Sequence, residues 1–230
     1  MQRLSSTKSL KPSLSRLRRF SSNVSQPSPS AAYLDPQCAN EIATTTTPRQ
    51  ISEQQRQVLE SALRVDQAGE LAANYIYHGQ MVVLGRDPTA GPLIQAMWDQ
   101  EKKHLAVMNK LQVQHRVRPT TLWEAARIFG FGLGAVTALM GKEAAMACTE
   151  AVETVIGEHY DDQLAEMKNL PESDPSIPLL KGVIEEFRDD ELEHLDIAVE
   201  NHSQRAPAHA LLSTVVGAGC KVAIELCRRF

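Results

Sequence analysis

Trp98-Asp99-Gln100-Glu101-Lys102-Lys103-His104-Leu105 and Arg188-Asp189-Asp190-Glu191-Leu192-Glu193-His194-Leu195 are two copies of one pattern, with Asp, Glu, His and Leu matching at an offset of 90. Residues three apart share a face of an α-helix, so each Glu-x-x-His can aim both side chains at one point. Both copies sit in runs whose apolar residues recur every three or four positions, the mark of a helix that buries one stripe. The first run reads Leu93, Met97, Glu101, His104, Met108, Leu111, and the second Leu180, Ile184, Phe187, Glu191, His194, Ala198. Upstream of each lies another such run with a carboxylate at its middle. One reads Leu59, Leu63, Asp66, Glu70, Ala73, Tyr77, Met81, Leu84, the other Met146, Thr149, Glu153, Ile156, Tyr160, Leu164, Met167. Here Glu70, Tyr77 and Gln80 match Glu153, Tyr160 and Gln163 at an offset of 83. A longer loop around the prolines Pro171, Pro175 and Pro178 absorbs the difference between the offsets. The pattern predicts an all-α four-helix bundle with an internal two-fold repeat, each half supplying one Glu and then Glu-x-x-His.

Four carboxylates on core-facing stripes cannot all stay ionised unaided, because desolvating each costs several kcal/mol. Either they take up protons or a cation sits among them. Two divalent ions balance four Glu in charge, and two His add neutral nitrogen ligands. Such a set, a Glu from each of two helices and Glu-x-x-His from each of the other two, is the carboxylate-bridged dimetal arrangement of ferritin-like bundles. The candidate ligands are Glu70, Glu101, His104, Glu153, Glu191 and His194. Carboxylate-rich ligation with only two imidazoles favours iron or manganese over zinc or copper.

Six helices are expected, over about 52–84, 89–114, 121–139 and 142–169, then from the proline loop to about 201, and from 207 almost to the end. Ser52 and Gln55 have capping-box spacing. The third and sixth carry the uncharged runs 128–141 and 206–220, two apolar helices additional to the four. No run alternates with a strand's period. Gly130-Phe131-Gly132-Leu133-Gly134 resembles a dinucleotide loop only superficially, since it follows no strand and lies inside an apolar helix.

The chain has 230 residues and a net charge of −4, but the charge is unevenly spread. Residues 1–34 hold six basic residues, ten Ser and no acid, which leaves 18 basic against 28 acidic residues over 35–230. Basic, Ser-rich and acid-poor is the composition of a mitochondrial transit peptide. Arg19-Phe20-Ser21-Ser22 looks like a cleavage site for a matrix protease. Residues 35–50, rich in Thr and Pro, read as a disordered linker, and 51–230 as the bundle. The acidic balance argues against nucleic acid, which needs a basic footprint. Four Cys without a CxxC pair exclude a disulfide scaffold, and in a reducing matrix Cys38, Cys148, Cys220 and Cys227 are expected as thiols.

The stretches Arg64-Val65-Asp66-Gln67-Ala68-Gly69-Glu70, Gly79-Gln80-Met81, Met97-Trp98-Asp99-Gln100-Glu101, Gly141-Lys142-Glu143 and Glu191-Leu192-Glu193-His194 resemble the mitochondrial 5-demethoxyubiquinone hydroxylase family, and the resemblance spans about residues 55–230. It implies a ferritin-like di-iron monooxygenase that adds a hydroxyl to the ring of 5-demethoxyubiquinone, the penultimate step of ubiquinone synthesis, with O2 and electrons from NADH. It carries the same six residues over as iron ligands. It also implies a peripheral place on the matrix side of the inner membrane, and membership of a ubiquinone-synthesis complex that includes a lipid-binding accessory protein. A homo-oligomer is compatible with it. No dinucleotide fingerprint supports a nicotinamide domain. The resemblance further places His159 and Tyr160 near the irons, where the pair could relay a proton and an electron; spacing alone reads Tyr160 as a core aromatic. Asp190, four residues before His194, is expected to orient that imidazole. Glu143, Glu150, Glu158, Glu185, Glu186 and Glu193 read as non-ligands. The uncharged runs fall short of the roughly 20 apolar residues that span a bilayer, so they read as interfacial. A ferritin- or rubrerythrin-like protein handling iron or peroxide, and a manganese catalase-like enzyme, use similar ligands. The Cys-x-x-Cys module of a rubrerythrin is absent.

Overall fold

The computed structural model describes residues 28–38 and 40–230; the leader reading falls mainly on residues 1–27, outside them. Among the described residues the chain is all-helical, with α1 Ala31–Leu34, α2 Ile42–Thr45, α3 Glu53–Leu84, α4 Ala90–His115, α5 Trp123–Leu139, α6 Lys142–Glu166, α7 Ser176–Glu200 and α8 His209–Arg229. The six long helices fall where the apolar periodicity places them.

Local chemistry sets their ends. Ser52 accepts from the Gln55 N–H, and the Gln55 side chain accepts from the Ser52 N–H, the reciprocal cap of α3. Asp87 Oδ1 accepts from the N–H groups of Thr89 and Ala90, which starts α4. Gly141 breaks α5 from α6 at φ +116°, a conformation that side chains disfavour. Asp174 accepts from both the backbone and the hydroxyl of Ser176 at the start of α7.

Short connections make α3 and α4 one helix pair, and α6 and α7 the other. Two apolar layers plug the bundle. One contains Leu59, Leu63, Met108, Leu111, Tyr160, Ile184 and Phe187, and the other Tyr77, Ile94, Met97, Met146 and Ala198. On every stripe the central carboxylate falls between these layers in the sequence.

The extra helices cover α3 and α6. Gly130 and Gly134, one turn apart in α5, face the α3 backbone: a Cβ on Gly130 would lie 2.7 Å from the Ala72 carbonyl oxygen, and one on Gly134 would run into that of Ile76. The glycine-rich run is therefore a packing device. α8 packs on α6 through Val216 and on α3 through Cys227. The uncharged run 206–220 understates this helix, because α8 continues to Arg229 and is by length and composition long and apolar enough to cross a membrane. α5 and α8 expose large apolar side chains, with Phe129 at 76%, Leu139 at 74% and Leu211 at 65%.

Residues 28–38 and 40–50, which include the stretch expected as linker, form a strap along α4 and α7. Ser30 donates through its N–H and its hydroxyl to Glu186, at 2.8 and 2.7 Å. Tyr33 is buried and donates to Gln114, whose amide donates in turn to the carbonyls of Ala43 and Thr46. Thr46 donates to Asp174, and Thr47 Oγ1 lies 2.9 Å from His115 Nδ1. Composition marked the stretch as polar and breaker-rich. The same hydroxyls and one aromatic anchor give it fixed partners on the bundle.

Candidate metal centre

Glu70 from α3, Glu101 and His104 from α4, Glu153 from α6 and Glu191 and His194 from α7 meet in the bundle interior, and all six are buried. They form two overlapping groups. Glu70, Glu101, His104 and Glu191 offer donor atoms all within 4.8 Å of one another, and so do Glu101, Glu153, Glu191 and His194. The shared members are the Glu of each Glu-x-x-His; Glu70 belongs to the first group alone and Glu153 to the second.

Both imidazoles turn Nδ1 toward the cluster. His104 Nδ1 faces inward, 3.2 Å from Glu191 and 3.6 Å from Glu70, while its Nε2 lies 3.1 Å from Asp190 Oδ2. His194 Nδ1 is 3.2 Å from both Glu101 and Glu191, and its Nε2 is 3.1 Å from Gln100 Oε1. Donation from Nε2–H to these outer oxygens leaves the Nδ1 lone pair aimed into the cluster. Asp190 thus orients His104 across the bundle, not the His194 of its own helix. Gln100, its counterpart in the repeat, holds His194. The brace crosses because each residue sits on the flank of its helix that faces the other pair.

Without a cation the cluster is electrostatically frustrated. Glu101 is pushed up to about 8 by burial and by the charge of Glu191. Burial and the same neighbour hold Glu153 well above the carboxylate range. Burial raises Glu191 too, but the facing imidazoles of His104 and His194 outweigh it and carry its carboxyl below the usual range. Burial disfavours charge on His194, yet Glu101 and Glu191 lift it to about 11. Glu70 Oε2, both oxygens of Glu101 and His104 Nδ1 are buried without a hydrogen-bond partner. Orphaned acceptors of this kind cost about 1–3 kcal/mol each unless something fills the space between them. Convergent oxygen and nitrogen donors with unpaired lone pairs fit divalent metal ions, and the donor set is that of iron or manganese.

Two tyrosines extend the symmetry. Tyr160 donates to Glu70 Oε1 at 2.5 Å, and Tyr77 donates to Glu153 Oε1 at 2.9 Å, so each half's phenol holds the other half's unshared carboxylate. Asn74 ties the Glu101 carbonyl to that of Glu70. Tyr77 was legible in the repeat, at an offset of 83 from Tyr160, but read as core. His159 is buried yet belongs to neither donor group. Its Nε2 lies 3.5 Å from Asp66 Oδ1, and Gln163 donates to both oxygens of Asp66. Burial raises the Asp66 carboxyl against the pull of His159 and Gln163. Glu143, Glu150, Glu158, Glu185, Glu186 and Glu193 enter neither donor group. Glu150 pairs with His209 and Glu158 with Lys221. The four cysteines are free thiols.

Two helix pairs that converge four Glu and two His on one interior point define a ferritin-like bundle with a carboxylate-histidine centre. Over residues 57–227 the sequence matches the family described as "Ubiquinone biosynthesis protein COQ7", and the chain belongs to that family. It is 53% identical over 175 residues to the Bos taurus "NADPH-dependent 3-demethoxyubiquinone 3-hydroxylase, mitochondrial", covering 76% of this chain and 79% of that protein. It is 48% identical over 187 residues to the Saccharomyces cerevisiae "5-demethoxyubiquinone hydroxylase, mitochondrial", covering 76% and 79%. It is 45% identical over 172 residues to the Rhodospirillum rubrum "3-demethoxyubiquinol 3-hydroxylase", covering 75% and 78%.

Proposed function

We propose that this chain is a di-iron monooxygenase that hydroxylates the ring of 5-demethoxyubiquinone in ubiquinone synthesis, with Glu70, Glu101, His104, Glu153, Glu191 and His194 as the ligands. The observation that carries the reading is the pair of overlapping Glu/His groups sharing Glu101 and Glu191. The relatives' names supply the substrate. The overall balance is demethoxyquinone, O2, a reduced nicotinamide and a proton giving hydroxylated quinone, oxidised nicotinamide and water. The family resemblance implied NADH; the names of several relatives say NADPH, and we take NADPH as the donor.

Two irons held there would supply the redox chemistry that activates O2 toward a closed-shell ring. The chain's own residues do the rest. Asp190 and Gln100 fix the imidazole tautomers. Tyr77 and Tyr160 hold Glu153 and Glu70 through O–H donation. Met97, Met146 and Phe187 keep water out on both sides. Asp66, Gln163 and His159 make a polar group behind the Glu70 half, next to Tyr160.

The exposed apolar faces of α5 and α8 support peripheral attachment to the mitochondrial inner membrane, on the matrix side, where a polyprenyl quinone resides. Arg127, Lys142, Lys221, Arg228 and Arg229 flank these helices and suit an anionic lipid surface. The same faces could receive the lipid-binding accessory protein of a ubiquinone-synthesis complex or a second copy of the chain. The basic N-terminal stretch serves as the transit peptide. The bundle contacts of Ser30 and Tyr33 favour a leader ending before Ser28, as cleavage near Arg19-Phe20-Ser21 would give.

The test is turnover of the iron-loaded chain with demethoxyubiquinone, NADPH and labelled O2, read by mass spectrometry. Label in the ring supports the reading. No ring label, with rapid disproportionation of peroxide, favours the catalase-like alternative.

A further inference from the structure

The internal repeat allows the two halves of the centre to be compared position by position, and they are not equivalent. At the position one residue before each Glu-x-x-His, α7 has Asp190 and α4 has Gln100. Each crosses to the imidazole of the other helix, at the same 3.1 Å. One imidazole is therefore backed by a carboxylate and the other by a neutral amide.

A second difference lies on the same half. Asp66, one turn before Glu70, is buried, and Gln163 donates to it at 2.8 and 2.9 Å. At the matching position of the other repeat stands Thr149, which Gln80 approaches at 3.5 Å. His159 corresponds to Ile76, so the ionisable pair beside the Glu70 half is replaced by neutral side chains on the Glu153 half.

A carboxylate accepting from a ligating imidazole raises its basicity more than an amide does, and adds negative potential at the metal. We propose that the two positions bind metal unequally, and that the one formed by Glu70 and His104 fills first and holds its ion more tightly because Asp190 backs its imidazole. Asp190 and Gln100 act here as positioning residues that set the order of assembly. The inference rests on the cluster being a metal site.

Cobalt(II) is a suitable probe, since it takes the same donors and gives both an absorption signature and anomalous scattering. Full-length chain crystallised with one cobalt per chain should show higher anomalous occupancy at the Glu70–His104 position, and a cobalt titration in solution should have two phases. Asp190→Asn keeps the hydrogen-bond acceptor but removes the charge. It should lower affinity at that position by roughly tenfold or more and merge the two phases. Gln100→Glu, a gain of charge at the partner position, should raise occupancy at Glu153–His194. Equal occupancy in the unaltered chain, or a preference that neither substitution moves, would overturn the proposal. Failure to bind cobalt in the cluster would instead remove the metal reading beneath it.

Discussion

His115 offers a quantitative test of the strap. It is the last residue of α4, fully buried, and its Nδ1 meets the Thr47 hydroxyl of the strap. Burial and then the Arg56 charge push its imidazole down from 6.5 to about 4. The unfolded chain therefore takes up the proton more readily than the folded one, and stability present at pH 7 is lost as the pH falls through 6.5 toward 4. Integrating over that window gives a loss of about 2 kcal/mol between about pH 7 and pH 5 from this residue alone. Carboxylates elsewhere also titrate, so the measurement is a difference of differences. Urea unfolding of the wild type and of His115→Gln at both pH values should show the wild type losing about 2 kcal/mol more than the variant. Hydrogen exchange over residues 28–50 should accelerate with the same pH dependence in the wild type only. An identical pH loss in both proteins would refute the account of His115, and with it the reading of 28–50 as a strap fixed to the bundle.

Tyr160→Phe removes the phenol that holds Glu70; metal content should be retained while NADPH-dependent turnover falls roughly tenfold, the order expected for a hydrogen bond to a charged group. Gly134→Ala forces a Cβ into the Ile76 carbonyl and should cost about 1–3 kcal/mol in unfolding free energy. Gly132→Ala, two residues away with open space around its Cβ, should be neutral or stabilise by up to about 1 kcal/mol. Phe129→Asp, on the exposed face of α5, should leave the melting temperature unchanged and weaken binding to liposomes containing anionic lipid; equal binding would remove α5 from the membrane face.

The bundle was legible because its signals are local and duplicated. Glu101–His104 and Glu191–His194 recur with their flanking Asp and Leu, and a three-to-four apolar period can be counted in one dimension. The six candidate ligands could be singled out for the same reason: a charged residue on an apolar stripe is an anomaly visible without coordinates. What the sequence does not contain is which residue faces which across the bundle. Asp190 stands four residues from His194, and sequence spacing favoured that pair. In the bundle its carboxylate meets His104 of α4 instead, and Gln100 makes the reciprocal contact with His194. Tyr77 carried the right offset but no feature that distinguishes a phenol donating to a carboxylate from one packed in a core. The contacts of the strap were illegible for the opposite reason. Its composition is that of a linker, and the contacts of Thr46, Thr47 and Tyr33 depend on partners more than sixty residues away.

The central claim is that four glutamates and two histidines hold a pair of irons between the two halves of the repeat. Mössbauer spectroscopy of the chain loaded anaerobically with iron-57 and then exposed to oxygen tests it most directly. The account predicts two irons per chain that become a magnetically coupled, EPR-silent diferric pair, with both irons lost in Glu101→Ala. Isolated ferric ions, a stoichiometry near one, or iron content unaffected by Glu101→Ala would contradict it.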